Sequence, residues 1–143
     1  RTLVGSAYAD RVAECGAAQA IIGPLRAATA ADTFAIEDPV VRARALHVVN
    51  ENQRVLDFAA ALRAHDLDTA GRLMVESHNS LRDLYATSTP VMDVAVQALC
   101  DTPGVYGARM TGGGFGGCVV ALARPGALTD GWVVTAVDGA ALR

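Results

Sequence analysis

At 143 residues the chain has single-domain length, enough to bury on the order of two-thirds of its unfolded surface. Hydrophobic residues make up 52% of it and the net charge is −3, which fits a soluble globular core and argues against a nucleic-acid footprint. All twelve basic residues are arginine, so a Walker A loop and Schiff-base chemistry, both of which need lysine, are excluded. No apolar run reaches the ~18 residues of a membrane span and no signal peptide is visible, so we expect a cytoplasmic protein with no membrane partner. Cys15, Cys100 and Cys118 are odd in number, far apart and without C-x-x-C spacing, and read as buried reduced thiols rather than a disulfide or zinc site.

In chain order, apolar residues recur every three to four positions at Tyr8, Val12, Cys15, Ala18 and Ile22, the pattern of an amphipathic helix that Gly23-Pro24 ends. A second, longer helix is capped by Asp38 with Pro39 in its first turn. Its inner stripe is expected to run through Val41, Ala45, Val48, Val49, Leu56, Ala59 and Leu62. Leu67, Ala70, Leu73, Met74, Leu81, Leu84 and Tyr85 mark a third, started by Asp68 and closed near Ala86. Ser88 or Thr89 caps a fourth, with Pro90 at its first position and Val91, Ala95, Ala98 and Leu99 inward. Strands are then expected over 105–110, 118–123 and 132–137. Helices first and a small sheet afterwards is an α+β order. The chain begins at Arg1 and enters a helical pattern almost at once, as expected of a piece of a longer polypeptide.

Between the first two strands lies Thr111-Gly112-Gly113-Gly114-Phe115-Gly116-Gly117-Cys118, with five glycines in six positions. Glycine adopts positive φ without a Cβ clash, and successive unshielded N–H groups can form an anion-binding nest. A phosphate site and a purely structural bulged hairpin are both compatible with this spacing. Gly112, Gly114 and Gly117 satisfy G-x-G-x-x-G, but a dinucleotide fingerprint requires a following helix, and a strand follows. With Val119 they also satisfy the protein-kinase loop, whose downstream lysine and catalytic loop are not in these residues.

Glu76, Ser77 and His78 are neighbours on one helix and point in different directions, so they cannot form a nucleophilic pair and are expected in packing and hydrogen bonding. His47 and His65 lack a second ligand four residues away and read as core or surface histidines; no metal site is expected. Arg109, beside the glycine loop, could steer a phosphate or pair with a carboxylate, and pairing is favoured. No residue in the chain is assigned a catalytic role.

Four ordered blocks carry a family resemblance. Residues 7–15 (AYADRVAEC), 44–52 (RALHVVNEN), 73–85 (LMVESHNSLRDLY) and 104–110 (GVYGARM) running into the glycine loop resemble the C-terminal half of galactokinases, in the same order and over nearly the whole chain to about residue 124. Galactokinases belong to the GHMP superfamily of small-molecule kinases, and the loop resembles the third of its three shared motifs. The resemblance implies a ferredoxin-like α+β domain over 1–143, a small antiparallel sheet with helices packed on one face. It implies transfer of the ATP γ-phosphoryl group to the C1 hydroxyl of α-D-galactose with Mg²⁺. Gly112, Gly113, Gly114, Phe115, Gly116 and Gly117 would support a separate phosphate loop of an N-terminal domain, which would hold most of the ATP, the Mg²⁺ and the catalytic base. That domain of the same polypeptide is the expected partner. Tyr8 matches the family tyrosine that contacts the sugar; read from the helical pattern alone, its ring instead fills the inner face beside Val12 and Cys15.

The family's catalytic aspartate, its assisting arginine and its main phosphate loop are not found here, so this chain alone is expected to be inactive. The stretch 124–131 is too short for the helix that in the family precedes the last strand, and the strand expected before Tyr8 is not found. One outer face of the sheet is therefore expected to be thinly covered. Another GHMP sugar kinase, or a non-catalytic galactose and ATP sensor, remains compatible with these motifs.

Overall fold

A computed structural model describes residues 7–135. Its elements are α1 (Ala7–Ile22), a 3₁₀ turn (Asp32–Ala35), α2 (Pro39–Arg63), α3 (Leu67–Asp83), α4 (Pro90–Cys100), β1 (Val105–Thr111) and β2 (Cys118–Ala123). The α+β order holds.

The helix ends follow local chemistry. Gly23, at φ 80°, donates its N–H to Gln19 O and stops α1 with a left-handed residue. The Asp38 carboxylate accepts from Val40 N and Val41 N ahead of Pro39, as anticipated. α3 begins earlier than expected: Asp66, not Asp68, is the cap and accepts from Thr69 N. It also ends earlier, at Asp83. Thr89 caps α4, while the Ser88 hydroxyl turns instead to Asp93.

Two small cores result. Ala18, Leu25, Ile36 and Ala45 meet between α1, the 3₁₀ segment and α2, while Leu81, Met92 and Met110 meet between α3, α4 and β1. Inner faces were only partly anticipated. Tyr8 and Val12 are exposed, as are Leu56 and Leu62 at the far end of the α2 stripe. α4 is rotated by about one position: Met92 and Val96 are buried and Val91 is exposed. Its sequence, PVMDVAVQALC, is polar only along the narrow stripe of Asp93 and Gln97, so the apolar arc is wide and packing on β1 decides which part of it is buried.

β1 and β2 form an antiparallel hairpin in which Thr111 pairs with Cys118 and Met110 with Val119, interrupted by a bulge between Val105 and Gly107. The glycine loop is thus a strand-to-strand connection, as expected. α3 crosses β1 at Gly71 and Gly107, where each glycine approaches the other chain segment's backbone too closely for a side chain. The third expected strand is not formed over 132–135, the part of it that lies within the described residues; the rest lies outside them. Trp132 and Val133 are exposed there, with no neighbouring strand to pair with among the described residues. Residues 124–131 form turns and no helix, as their length requires. None of the three cysteines is disulfide-bonded among the described residues, but they are not buried as expected: Cys118 is exposed and the other two are only half-buried. No helix among the described residues is long and apolar enough to cross a membrane.

Candidate functional site

The loop between β1 and β2 spends its conformational freedom at particular positions. Gly112, Gly114, Phe115, Gly116 and Gly117 all have positive φ, from 57° at Phe115 to 130° at Gly117. Only the non-glycine, Phe115, is strained by this, and its N–H is anchored: it donates to Thr87 O at 2.8 Å. Gly114 sits against the same residue, where a Cβ would stand 2.5 Å from Thr87 O and 2.7 Å from Thr87 Cβ. The loop tip is therefore seated on the α3–α4 turn.

Gly113 faces elsewhere. A Cβ there would meet the Tyr8 ring, 3.7 Å from Cδ2, so the first turn of α1 and the loop are immediate neighbours. Tyr8 is 44% exposed and does not fill an inner face. Gly112, Gly113 and Gly117 are also exposed. Two features separated by more than a hundred positions thus share one edge of the domain, where side-chain-free backbone can approach an anion.

The α3–α4 turn is itself held from α1 and α2. Ala86 takes φ 52°, and Tyr85 N and Thr87 N bond back to Ser80 O and Leu81 O. Arg11 Nη1 donates to Tyr85 O at 3.0 Å, and Arg44 donates to Leu84 O. Both guanidiniums share the Glu14 carboxylate, at 2.8 Å each. Cations at the carbonyl end of a helix also complement its dipole. The helix that carries Tyr8 is tied in this way to the turn that carries the loop.

Behind the turn, His47 stacks on Tyr85 with ring centroids 4.4 Å apart, and its Nδ1 is 2.8 Å from Ser80 Oγ. Burial, reinforced by Arg54, Arg109 and Arg44, pushes the His47 pKa down to about 4, so it is neutral at physiological pH. Burial likewise raises the Tyr85 phenol, helped by its contact with the Cys15 thiol 3.6 Å away.

Glu76, Ser77 and His78 diverge as expected. Glu76 pairs with Arg72, Ser77 Oγ donates to Glu51 at 2.6 Å, and His78 turns to Asp93 and the Met110 backbone. Arg109 pairs as favoured: its Nη1 lies 3.7 Å from Glu51 and its Nε donates to Met110 O. His65 is exposed at the end of α2 with φ 56°. A cavity of about 470 Å³ lies between α2, α3 and the sheet, lined by Phe58, Leu73, Ser77, Arg109 and others, but by neither Tyr8 nor a loop glycine. Among the described residues no group of three or more His, Cys, Asp or Glu is placed to hold a metal ion.

Sequence reasoning did not find Thr87, whose carbonyl seats the loop. Its contact lies 28 positions along the chain and has no local signature. Arg11 and Glu14 fell within a recognised block, but their part in holding the turn did not show.

Comparison with known proteins bears on the family and the fold. Residues 58–130 match the family described as GHMP kinases C terminal. The chain is 47% identical to a galactokinase of Roseiflexus sp. (strain RS-1) over 133 residues, covering 85% of this chain and 34% of that protein. It is 62% identical to a Bos taurus galactokinase over 79 residues, covering 55% of this chain and 20% of that one. The crystal structure of Lactococcus lactis galactokinase complexed with galactose matches it with a TM-score of 0.80 at 34% identity, covering 86% of this chain and 34% of that structure. The chain thus spans about a third or less of the length of these relatives. Family match, relatives and fold agree that this chain belongs to the GHMP kinases and carries their C-terminal domain.

Proposed function

We propose that this chain is the C-terminal part of a galactokinase, which transfers the γ-phosphoryl group of ATP to the C1 hydroxyl of α-D-galactose. In that reaction the C1 oxygen forms a bond to the γ-phosphorus, the bond from that phosphorus to the β–γ bridging oxygen breaks, and ADP leaves. The proton of the C1 hydroxyl passes to a base. The observation that carries this reading is the packing of the Tyr8 ring against Gly113, which brings a sugar-contact candidate and an anion-binding candidate to one edge.

In this reading Tyr8 contacts the sugar, while Gly112, Gly113, Gly114, Phe115, Gly116 and Gly117 line the cleft and support the phosphates. Their part is positional and electrostatic, which is what phosphoryl transfer chiefly needs. ATP and Mg²⁺ would be held mainly by an N-terminal domain of the same cytoplasmic polypeptide. The loop backbone fits an anion, but none of the described residues is assigned to the cation. Residues 1–143 would be one domain and, purified alone, would release no ADP in a galactose-dependent manner.

The test is Tyr8→Phe in the full-length gene product, which should raise the KM for galactose; an unchanged value would make Tyr8 a packing residue. A sugar panel run beside it separates galactokinase from another GHMP sugar kinase. Ligand-dependent partner capture without turnover would indicate a sensor.

A further inference from the structure

His78 is 2% exposed and lies in the C-terminal half of α3. Its two ring nitrogens have distinct partners. The Met110 N–H donates to Nδ1 at 3.3 Å, and Nε2 lies 3.1 Å from Asp93 Oδ1. A nitrogen that accepts from a backbone amide carries no proton, so Nε2 holds the hydrogen and donates it to Asp93.

The same Asp93 oxygen accepts from the Ser88 hydroxyl at 2.5 Å. Ser88 follows Thr87, whose carbonyl accepts from Phe115 N and whose side chain abuts Gly114. Met110 stands two residues before Gly112, at the base of the loop, and Phe115 stands at its tip. One connected network therefore grips the loop at its β1 base and at its tip: Met110, His78, Asp93, Ser88, Thr87 and Phe115. We infer that His78 is a positioning residue for the glycine loop, acting through the Met110 amide at the loop's base and through Asp93 and Ser88 at its tip.

The chemistry favours a specific role over general packing. Met110 is 1% exposed, so replacing His78 by an apolar residue leaves a buried N–H with no acceptor. A loop in which five of six residues have positive φ has little side-chain packing of its own to define its conformation. Its placement must come from the scaffold, and a loop that positions a phosphoryl-transfer cleft tolerates little displacement. The catalytic consequence rests on the functional reading above; the grip on the loop does not.

The experiment compares wild type, His78→Leu and His78→Asn in the full-length gene product, by amide hydrogen exchange and by kcat and KM for galactose and ATP. Asparagine places a carboxamide oxygen where Nδ1 stands and retains an acceptor for Met110. In His78→Leu, exchange over 110–117 should accelerate about tenfold with α1 and α2 unchanged. Its kcat should fall about tenfold while the KM for galactose changes less than about twofold. His78→Asn keeps the Met110 arm and loses the Asp93 arm, so it should restore normal exchange at 110–112, leave 114–116 accelerated, and recover part of the lost kcat. Unchanged loop exchange in His78→Leu would overturn the proposal, as would equal acceleration throughout the domain, which would mark a plain core residue. Should His78→Leu fail to fold, Ser88→Ala severs only the arm to the tip and must loosen 114–116 selectively, or the proposal fails. If the wild type phosphorylates no sugar, the functional reading falls, while the exchange data still decide whether His78 holds the loop.

Discussion

Replacing Gly71 by alanine should unfold much of this domain's margin of stability, although alanine is the better helix former by about 1 kcal/mol. A Cβ on Gly71 would stand 2.0 Å from Tyr106 O, 2.3 Å from Tyr106 C and 2.7 Å from Tyr106 Cβ. The first two are backbone atoms of β1, so no rotamer change can relieve the overlap. α3 would have to move from β1 by roughly 1 Å or more, and a gap of that size forfeits a quarter to a half of the dispersion well at each contact. The residues losing contact include Ala70, Leu73, Met74 and Ala108, all buried. We expect a net loss of about 3 kcal/mol, a large share of the 5–15 kcal/mol typical of a domain. Urea unfolding of the purified chain measures it: with a slope of about 2 kcal/mol/M, the midpoint should fall by about 1.5 M. Gly16→Ala is the internal control. It is also helical, but nothing lies within 4 Å of a Cβ there, so the same substitution should stabilise by about 0.5–1 kcal/mol. If Gly71→Ala unfolds within about 0.5 kcal/mol of wild type, the close crossing of α3 on β1 is wrong.

Gly114→Ala combines φ 79° with a Cβ only 2.5 Å from Thr87 O, so it should destabilise by about 1–3 kcal/mol and accelerate amide exchange at Phe115; normal protection there would show that Thr87 does not seat the loop. His47 contributes to stability through its lowered pKa. The unfolded state takes up its proton near pH 6.5 and the folded state only near pH 4, so the contribution is present in full above pH 6.5 and is lost as the pH falls toward 4. That loss should approach about 3 kcal/mol, and a His47→Gln variant whose stability falls equally over the same pH range would refute it. Asp38→Ala removes the acceptor for Val40 N and Val41 N and should cost about 1 kcal/mol in the same urea assay, an effect absent only if the cap is replaced by water.

Features that depend on a few adjacent residues were legible before any tertiary contact was known. A carboxylate or hydroxyl placed before proline caps α2 and α4 because donor and acceptor lie two or three residues apart. Gly23 ends α1, and two β-like runs flanking a glycine-dense stretch become a hairpin with that stretch as its loop. The ordered motif blocks carried the family as well, and so directed attention to Tyr8 and to the loop.

What lay beyond that reach depends on which surface arrives from elsewhere in the chain. The phase of α4 could not be read because Val91, Met92, Val94, Ala95 and Val96 are all apolar, and only packing against the rest of the fold, Met92 on Leu81 and Met110 among it, selects Met92 and Val96 for burial. Tyr8 and Val12 continue the helical pattern of Cys15 and Ala18, yet α1 leaves the core before its first turns, and hydrophobic spacing does not encode where a neighbour ends. The seating of Gly114 on Thr87, the sharing of Glu14 by Arg11 and Arg44, and the two-sided grip of His78 all join residues from different elements. Capping and turn chemistry act over about four residues and are written in the order of the chain. The alignment of Tyr8, Gly113 and Thr87 arises only when helices and hairpin pack, because burial and close approach are properties of surfaces in contact.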